Sequence, residues 1–359
     1  MPGEPHHTLV VHQQVAAACS FILKGPGRAT SQSIRCGDAV DSHRIDQRPC
    51  PEIPAVAWHL NRRWWREARR RKQRGNIVQI GFNLLVVSGF VTSEHYPLLD
   101  RLKALGYDGV EIPIFDGDLP HYQELGRVCR DKGLRTTFAT IVTEDTSPLS
   151  PDPRVRAKAR DRLHHAIDCG HAVAAEVMCG PYHSPLGVFS GSGPTEDELA
   201  RLADVLREVA AYAETAGVSL AIEAVNRFEC YALTTLDQAS ELRRRVGHRN
   251  FSYMYDTFHA NIEEQDPIAA FTAHAANCTH IHISENDRGI PGRGHVAWAA
   301  TFKAIRASGY DRWLTVEAFG RAVPALAAAT RVWRDLFPDV DTLFVESVAM
   351  IRRRWAAAA

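Results

Sequence analysis

The sequence predicts a (β/α)8 TIM barrel, an α/β fold, with an irregular N-terminal extension and a C-terminal helix. From residue 77 onward, short β-branched or apolar runs alternate with longer segments of helical periodicity, which is typical of parallel βα units. Eight such runs occupy roughly 280 residues, close to the length of one barrel. No Gly-x-Gly-x-x-Gly follows the first run, so a dinucleotide-binding sheet has no support.

Composition narrows the class of protein further. The 359 residues are 45% hydrophobic and 23% charged, as in a globular protein, and 42 basic residues balance 42 acidic ones. No run approaches the roughly 20 apolar residues of a membrane helix, so we expect no membrane partner. The eight cysteines include no Cys-x-x-Cys pair, which favours free thiols in a reducing compartment and a cytoplasmic location.

The N-terminal stretch differs from the remainder of the chain. Up to Ile77 it holds 13 basic and six acidic residues, and it has no sustained hydrophobic period. We expect residues 1–76 to be a disordered or non-native extension and residues 77–359 to form the barrel domain. The basic run Arg69–Lys72 leaves nucleic-acid binding, an anionic membrane surface or a transit peptide as alternatives for the extension alone.

The first half of the domain is expected to contain four βα units. Its strands are Val78–Leu85, Gly109–Ile114, Leu134–Ile141 and Ala175–Cys179. Its helices begin at Ser93, lie around His121–Asp131, span Pro153–Cys169 and begin after Thr195. Gly106 is placed to end the first helix, and Thr195 with Glu198 forms a capping-box pattern.

The second half repeats the same alternation. Its strands are Val218–Glu223, Phe251–Asp256, Cys278–Ile283 and Trp313–Glu317. The helices between them lie near Thr235–Val246, Pro267–Ala275 and Trp298–Ser308. A last helix, about Val340–Arg353, is expected to pack on the outside of the barrel or on a partner subunit.

Four chemically active side chains lie at the ends of consecutive strands. Glu223, Asp256 and Glu317 end strands five, six and eight, and His282 lies near the end of strand seven. These strand ends converge on one face of a barrel, where active sites are found. Three neighbouring carboxylates would repel one another, and a bound divalent metal ion would offset that repulsion. Mixed carboxylate and imidazole ligands suit Mn²⁺, Co²⁺ or Mg²⁺ better than structural zinc, with Mn²⁺ expected first.

Further polar residues follow these four along the chain. Glu229, His259 and Arg288 lie on the loops that leave strands five, six and seven, and they offer donors and acceptors for a sugar-sized ligand. Of the two histidines in strand seven, we expect His282 to be the ligand because the loop with Arg288 begins from it. His280 is expected to be a packed histidine that faces away from the barrel interior.

The segments Ile222–Glu229, Asp256–His259 and His282–Arg288, together with Glu317, resemble the ketose 3-epimerases. These are the D-tagatose and D-psicose 3-epimerases of the xylose isomerase-like barrels, and the spacings within and between the motifs match as well. The resemblance implies Glu223, Asp256, His282 and Glu317 as metal ligands. It also implies Glu223 and Glu317 as the acid/base pair, and Glu229, His259 and Arg288 as substrate contacts.

The expected reaction is metal-dependent epimerisation of a ketose at C3 through an enediolate. An aldose–ketose isomerase or a polyol dehydratase on the same barrel remains the alternative. An apurinic-site endonuclease is disfavoured, because its Asp-x-His is replaced here by Arg293-Gly294-His295 and the acidic barrel suits DNA poorly. The intact four-residue set argues against a barrel that only binds a partner. We therefore expect a small sugar as substrate, no nucleic-acid partner, and a barrel compatible with a homo-oligomer.

Overall fold

The computed structural model describes residues 78–359, so the expected extension over residues 1–76 lies outside the described part of the chain. Eight parallel strands close into one barrel in sequence order, and the predicted (β/α)8 fold is confirmed. The strands are β1 Gln79–Asn83, β2 Gly109–Pro113, β3 Arg135–Ala139, β4 Val177–Gly180, β5 Ser219–Ile222, β6 Phe251–Asp256, β7 Cys278–Ile283 and β8 Trp313–Val316.

Ten α-helices within residues 78–359 surround the barrel and cover its ends. They are α1 Tyr96–Leu105, α2 Leu119–Asp131, α3 Pro153–Ala172, α4 Glu196–Ala216, α5 Leu236–Val246, α6 Thr257–Glu263, α7 Pro267–His274, α8 Trp298–Ala307, α9 Pro324–Thr330 and α10 Val340–Ala357. In this range no helix combines the length and apolar character needed to cross a membrane.

Local sequence signals account for several helix ends. Gly106 follows α1 with a φ of 87°, a left-handed conformation that glycine adopts without steric cost. The capping box predicted before α4 is present, with Thr195 and Glu198 bonding each other's backbone N–H groups. Two short helices, α6 and α9, were not predicted, because seven residues are too few for a helical period to stand out.

The C-terminal helix α10 packs on the outside of the barrel, against α1 and α8. This is one of the two arrangements that we expected for it. The Phe344 ring meets the Phe82 ring of β1 edge to face at 4.6 Å between centroids. The Tyr107 hydroxyl donates to the Phe344 carbonyl at 2.8 Å. These contacts anchor the helix to the wall that includes β1.

Strand register brings the polar residues of the barrel to one level. Asp256 on β6 pairs with His282 on β7, and His282 pairs in turn with Thr315 on β8. Glu317 follows β8 directly, and Glu223 directly follows β5. The barrel therefore presents all four predicted strand-end residues at its C-terminal mouth.

Candidate active site

The four strand-end residues meet at the centre of the barrel mouth. Glu223, Asp256, His282 and Glu317 are all buried, and one nitrogen or oxygen of each lies within 4.8 Å of the others. The structure therefore brings together the complete set that the sequence singled out, although it comes from four separate strands.

Two of the three carboxylates lie at the distance from the His282 imidazole that is expected between ligands of one cation. His282 Nδ1 lies 3.3 Å from Glu317 Oε1, 3.5 Å from Asp256 Oδ2 and 3.9 Å from Glu223 Oε1. Metal–ligand bonds of about 2.0–2.2 Å would place neighbouring ligand atoms roughly 3–3.5 Å apart. His282 Nδ1 and Asp256 Oδ2 are buried and have no hydrogen-bond partner among the residues that the structure describes. A divalent cation fits these atoms, because it would offset the free-energy cost of leaving them unpaired.

Electrostatics supports the same interpretation. Burial and the neighbouring Glu317 and Asp256 carboxylates raise the pKa of Glu223 well above its ordinary value. Burial opposes protonation of His282, but the carboxylates of Glu111 and Glu317 outweigh it and raise the pKa of the imidazole well above its usual range. The negative charge of the neighbouring carboxylates contributes to both shifts, after burial in the case of Glu223, and a proton or a cation would balance that charge.

Arg288 supplies positive charge beside this cluster. Its guanidinium is buried and forms an ion pair with the Glu317 carboxylate through Nη1. Nη1 also lies 3.8 Å from Asp256 Oδ2, and Nη2 lies 3.9 Å from Glu229 Oε1. Burial of Glu317 would raise its pKa, but His282 and Arg288 outweigh that effect and lower the pKa.

Two aromatic rings hold the Arg288 side chain in place. The guanidinium carbon lies 3.9 Å from the centroid of the Phe258 ring and 4.6 Å from that of Phe319. The Arg288 backbone has a φ of 65°, an uncommon conformation for a residue other than glycine. Its carbonyl accepts a hydrogen bond from the Phe319 N–H at 2.9 Å, which ties the loop after β7 to the loop after β8.

His259 and Glu229 are held by one asparagine. The Asn226 backbone N–H donates to His259 Nδ1 at 3.0 Å, and the Asn226 side-chain amide donates to Glu229 Oε1 at 2.8 Å. Burial and the charge of Arg288 lower the pKa of His259 to about 3, so its ring is neutral near pH 7. His259 Nε2 lies 3.0 Å from Arg288 Nη2, which is also a donor, so both ring nitrogens face donors and a neutral ring can accept from only one of them. Nε2 also lies 3.6 Å from Glu223 Oε1.

These side chains form the floor of a pocket of about 880 Å³, measured with its open mouth. The polar part of the pocket lining includes all the predicted site residues except Asp256. The opposite walls are mostly apolar and include Leu85, Phe115, Ile141, Leu186, Phe319 and Leu326. A pocket with few converging polar groups and apolar walls is typical of small-ligand sites.

The expectation that His280 faces away from the barrel interior was wrong. Residues two positions apart on a strand point to the same side, so His280 and His282 share the interior face. Both rings reach the buried Glu111 carboxylate, with each Nε2 2.8 Å from one of its oxygens.

Glu111, Asn83 and Asn226 contact the predicted site residues, and none of the three was predicted to have a role there. Asn83 Nδ2 donates to Glu111 Oε1 and to Glu317 Oε1, each at 3.0 Å. One signal was available for Glu111, because an acidic residue interrupts the apolar run of β2 between Val110 and Ile112. A charged residue on a strand buried over its whole length requires a partner inside the protein.

The floor of the pocket, in the mouth of a (β/α)8 barrel, holds three buried carboxylates and one imidazole. This arrangement is that of a barrel enzyme with a candidate metal centre. The chain belongs to the xylose isomerase-like TIM barrel family, whose sequence model matches residues 99–352.

Individual relatives agree with this assignment. The chain is 31% identical over 266 residues to a probable ketose 3-epimerase of Synechocystis sp., covering 74% of this chain and 92% of the relative. It is 29% identical to a ketose 3-epimerase of Arthrobacter globiformis, over 78% of this chain and 98% of the relative. A solved L-ribulose 3-epimerase superposes with a TM-score of 0.73 at 30% identity, over 79% of this chain and 96% of that structure.

The resemblance found in the strand-end motifs is therefore confirmed. The relatives are epimerases, which are enzymes of the isomerase class, and the protein is an enzyme of that class.

Proposed function

We propose that this protein is a divalent-metal-dependent ketose 3-epimerase. The observation that carries the proposal is the buried set Glu223, Asp256, His282 and Glu317, in which His282 Nδ1 and Asp256 Oδ2 have no hydrogen-bond partner in the described chain. The relatives named ketose 3-epimerase and D-psicose 3-epimerase support a ketose as the substrate.

The four buried residues would hold the metal, with His282 contributing Nδ1. Mn²⁺ is our first choice, followed by Co²⁺ and Mg²⁺, because carboxylates outnumber imidazole in the donor set. When bound, the metal would polarise the ketose carbonyl and stabilise the negative charge that develops as a proton leaves the neighbouring carbon.

Glu223 and Glu317 would transfer the proton at C3. Epimerisation removes this proton, passing through an enediolate, and returns one to the opposite face, so it needs two groups that alternate as base and acid. The two carboxylates follow β5 and β8, and they approach His282 Nδ1 from different strands of the barrel. Asn83 and Arg288 each bond one oxygen of Glu317, which would limit its rotation during proton transfer.

Glu229, His259 and Arg288 would orient the C1–C2 end of the sugar. His259 Nε2 lies 3.0 Å from Arg288 Nη2, so the two side chains present adjacent polar groups to the pocket. A sugar oxygen bound beside them would accept from the Arg288 guanidinium. Glu229 would accept a hydrogen bond from a sugar hydroxyl. Orientation of this kind keeps C1 away from either base, and a displacement of about 1 Å can cost on the order of 100-fold in rate.

The decisive experiment follows isotope incorporation. The metal-depleted enzyme is loaded with Mn²⁺, Co²⁺ or Mg²⁺ and offered D-psicose, D-tagatose and L-ribulose, free and phosphorylated, in D₂O. We expect the C3 epimer as the product, with deuterium at C3 and none at C1. Chromatography identifies the product and NMR locates the label.

Each alternative leaves a different signature in the same experiment. Deuterium at C1, or an aldose as the main product, would replace the proposal with an aldose–ketose isomerase. Loss of water from a cyclic polyol would indicate a dehydratase. Full activity after exhaustive treatment with EDTA would refute the metal requirement.

A further inference from the structure

Beneath the candidate metal centre lies a second buried polar cluster, centred on Glu111 of β2. Its other members are Thr137 on β3, Cys179 on β4, and His280 and His282 on β7. All of these side chains are buried in the barrel interior. His282 belongs to both clusters, so this network reaches the candidate metal ligands from the side opposite the pocket.

Most contacts in the lower cluster are hydrogen bonds to the Glu111 carboxylate. Glu111 Oε2 lies 2.9 Å from Thr137 Oγ1 and 3.0 Å from Cys179 Sγ, both of which donate to it. His282 Nε2 lies 2.8 Å from Glu111 Oε1. In the upper cluster, by contrast, the distances from His282 Nδ1 are 3.3–3.9 Å. Thr137, Cys179 and His282 therefore form a hydrogen-bond network around one carboxylate. His280 Nε2 lies 2.8 Å from Glu111 Oε2 but is not hydrogen-bonded to it.

The donors around Glu111 determine which ring nitrogen of His282 carries hydrogen. The Asn83 amide orientation follows from its oxygen, which accepts from the Leu85 N–H at 2.9 Å, so its nitrogen donates to Glu111 Oε1. Together with Thr137 and Cys179, this surrounds Glu111 with donors, as an acceptor-only carboxylate requires. His282 Nε2 then also donates to Glu111. Nδ1 is the nitrogen that faces the upper cluster, where it can hold either a proton or a metal ion.

The same carboxylate is connected to a second candidate ligand. The Asn83 nitrogen that donates to Glu111 also donates to Glu317 Oε1 at 3.0 Å. Glu111 thus contacts His282 directly and Glu317 through one side chain. Its burial is complete, and it lies under the pocket floor rather than on the pocket wall.

We propose that Glu111 is a positioning residue for the metal centre. It sets the tautomer and the ring orientation of His282 and, through Asn83, the orientation of Glu317, without contacting substrate or metal. This inference rests on the proposed metal centre. Carboxylates that orient a metal-bound histidine typically change metal affinity or activity by about 10–100-fold when they are replaced.

The first test measures metal affinity. Mn²⁺ binding to the wild-type protein and to the Glu111→Gln variant is followed by electron paramagnetic resonance of the free ion. We expect the dissociation constant to rise about 10–100-fold in Glu111→Gln. At saturating Mn²⁺ we expect the ketose KM to stay within about threefold, because Glu111 is not on the pocket wall.

Two control variants separate positioning from a general loss of packing. Thr137→Val removes a donor to the other oxygen of Glu111, and Glu176→Gln alters a carboxylate paired with Arg135 just before β4. Both should keep the Mn²⁺ dissociation constant within about threefold of wild type. An unchanged affinity in Glu111→Gln, or an equal loss in Thr137→Val, would overturn the inference. A wild-type protein that binds no divalent ion would instead refute the metal centre itself.

The second test needs no variant of Glu111. Wild-type protein labelled with ¹⁵N-histidine is loaded with Zn²⁺, a diamagnetic ion that imidazole binds well. The His282 signals are assigned from their disappearance in His282→Gln. We expect hydrogen on Nε2, where Glu111 accepts it, and none on Nδ1, which binds the ion. A wild-type signal with hydrogen on Nδ1 would refute the proposed role even if Glu111→Gln fails to fold.

Discussion

Replacing Arg288 by methionine should destabilise the barrel by about 3–5 kcal/mol, the cost observed when one partner of a buried ion pair is removed. The Arg288 guanidinium is buried and pairs with Glu317, with Asp256 at 3.8 Å and Glu229 at 3.9 Å. Methionine keeps a long side chain and the same Cβ, so the φ of 65° imposes a similar strain in both proteins.

The magnitude follows from the charges that lose their partner. At an effective dielectric constant of about 20, unit charges about 4 Å apart interact by about 4 kcal/mol. Arg288 has three carboxylates within that range, and part of their attraction offsets the cost of burying the guanidinium itself. The remainder is lost in the variant, in which the three carboxylates face one another without the guanidinium.

Urea unfolding of EDTA-treated protein, followed by tryptophan fluorescence, measures this loss without a contribution from bound metal. The matched control is Arg293→Met on the same loop, where the arginine pairs with Glu346 and both side chains are exposed to solvent. We expect that control to cost about 0–1 kcal/mol. A loss below about 1 kcal/mol in Arg288→Met, or equal losses in the two variants, would refute the reasoning.

Three further predictions concern the proposed acid/base pair, the N-terminal extension and the buried cysteines. Glu223→Gln and Glu317→Gln should each lower kcat by at least about 100-fold, the minimum typical of acid/base catalysis; a smaller loss would make that residue a ligand only. A chain starting at Val78 should be soluble and fully active, and a loss of folding or activity would show that residues 1–76 are required. In that shortened chain all five cysteines should react slowly with a thiol reagent at pH 8 and rapidly in denaturant, because each is buried and burial raises the pKa of Cys129 and Cys278 to about 12. A fast-reacting native thiol would contradict this packing.

The barrel and the four strand-end residues were predictable because both depend on short-range patterns. Alternating strands and helices define parallel βα units, and the C-terminal ends of such strands must meet at one mouth. Glu223, Asp256, His282 and Glu317 could thus be grouped from their places at strand ends, without knowledge of any contact between them. Helix ends such as the one at Gly106 were predictable for the same reason, because they depend on residues that are close in sequence.

The supporting contacts were not predictable from such patterns. Glu111 and His282 are 171 positions apart, and Asn83 and Glu317 are 234 apart, so no periodicity connects them. Whether a buried polar side chain meets a partner depends on barrel closure and on the register of strands that are distant in sequence. The order of residues along the sequence therefore establishes which side chains reach the C-terminal mouth of the barrel. The closed barrel establishes which buried side chains, such as Glu111 and His282, are hydrogen-bonded to each other beneath the mouth, because buried polar groups are paired only after the strands have assembled.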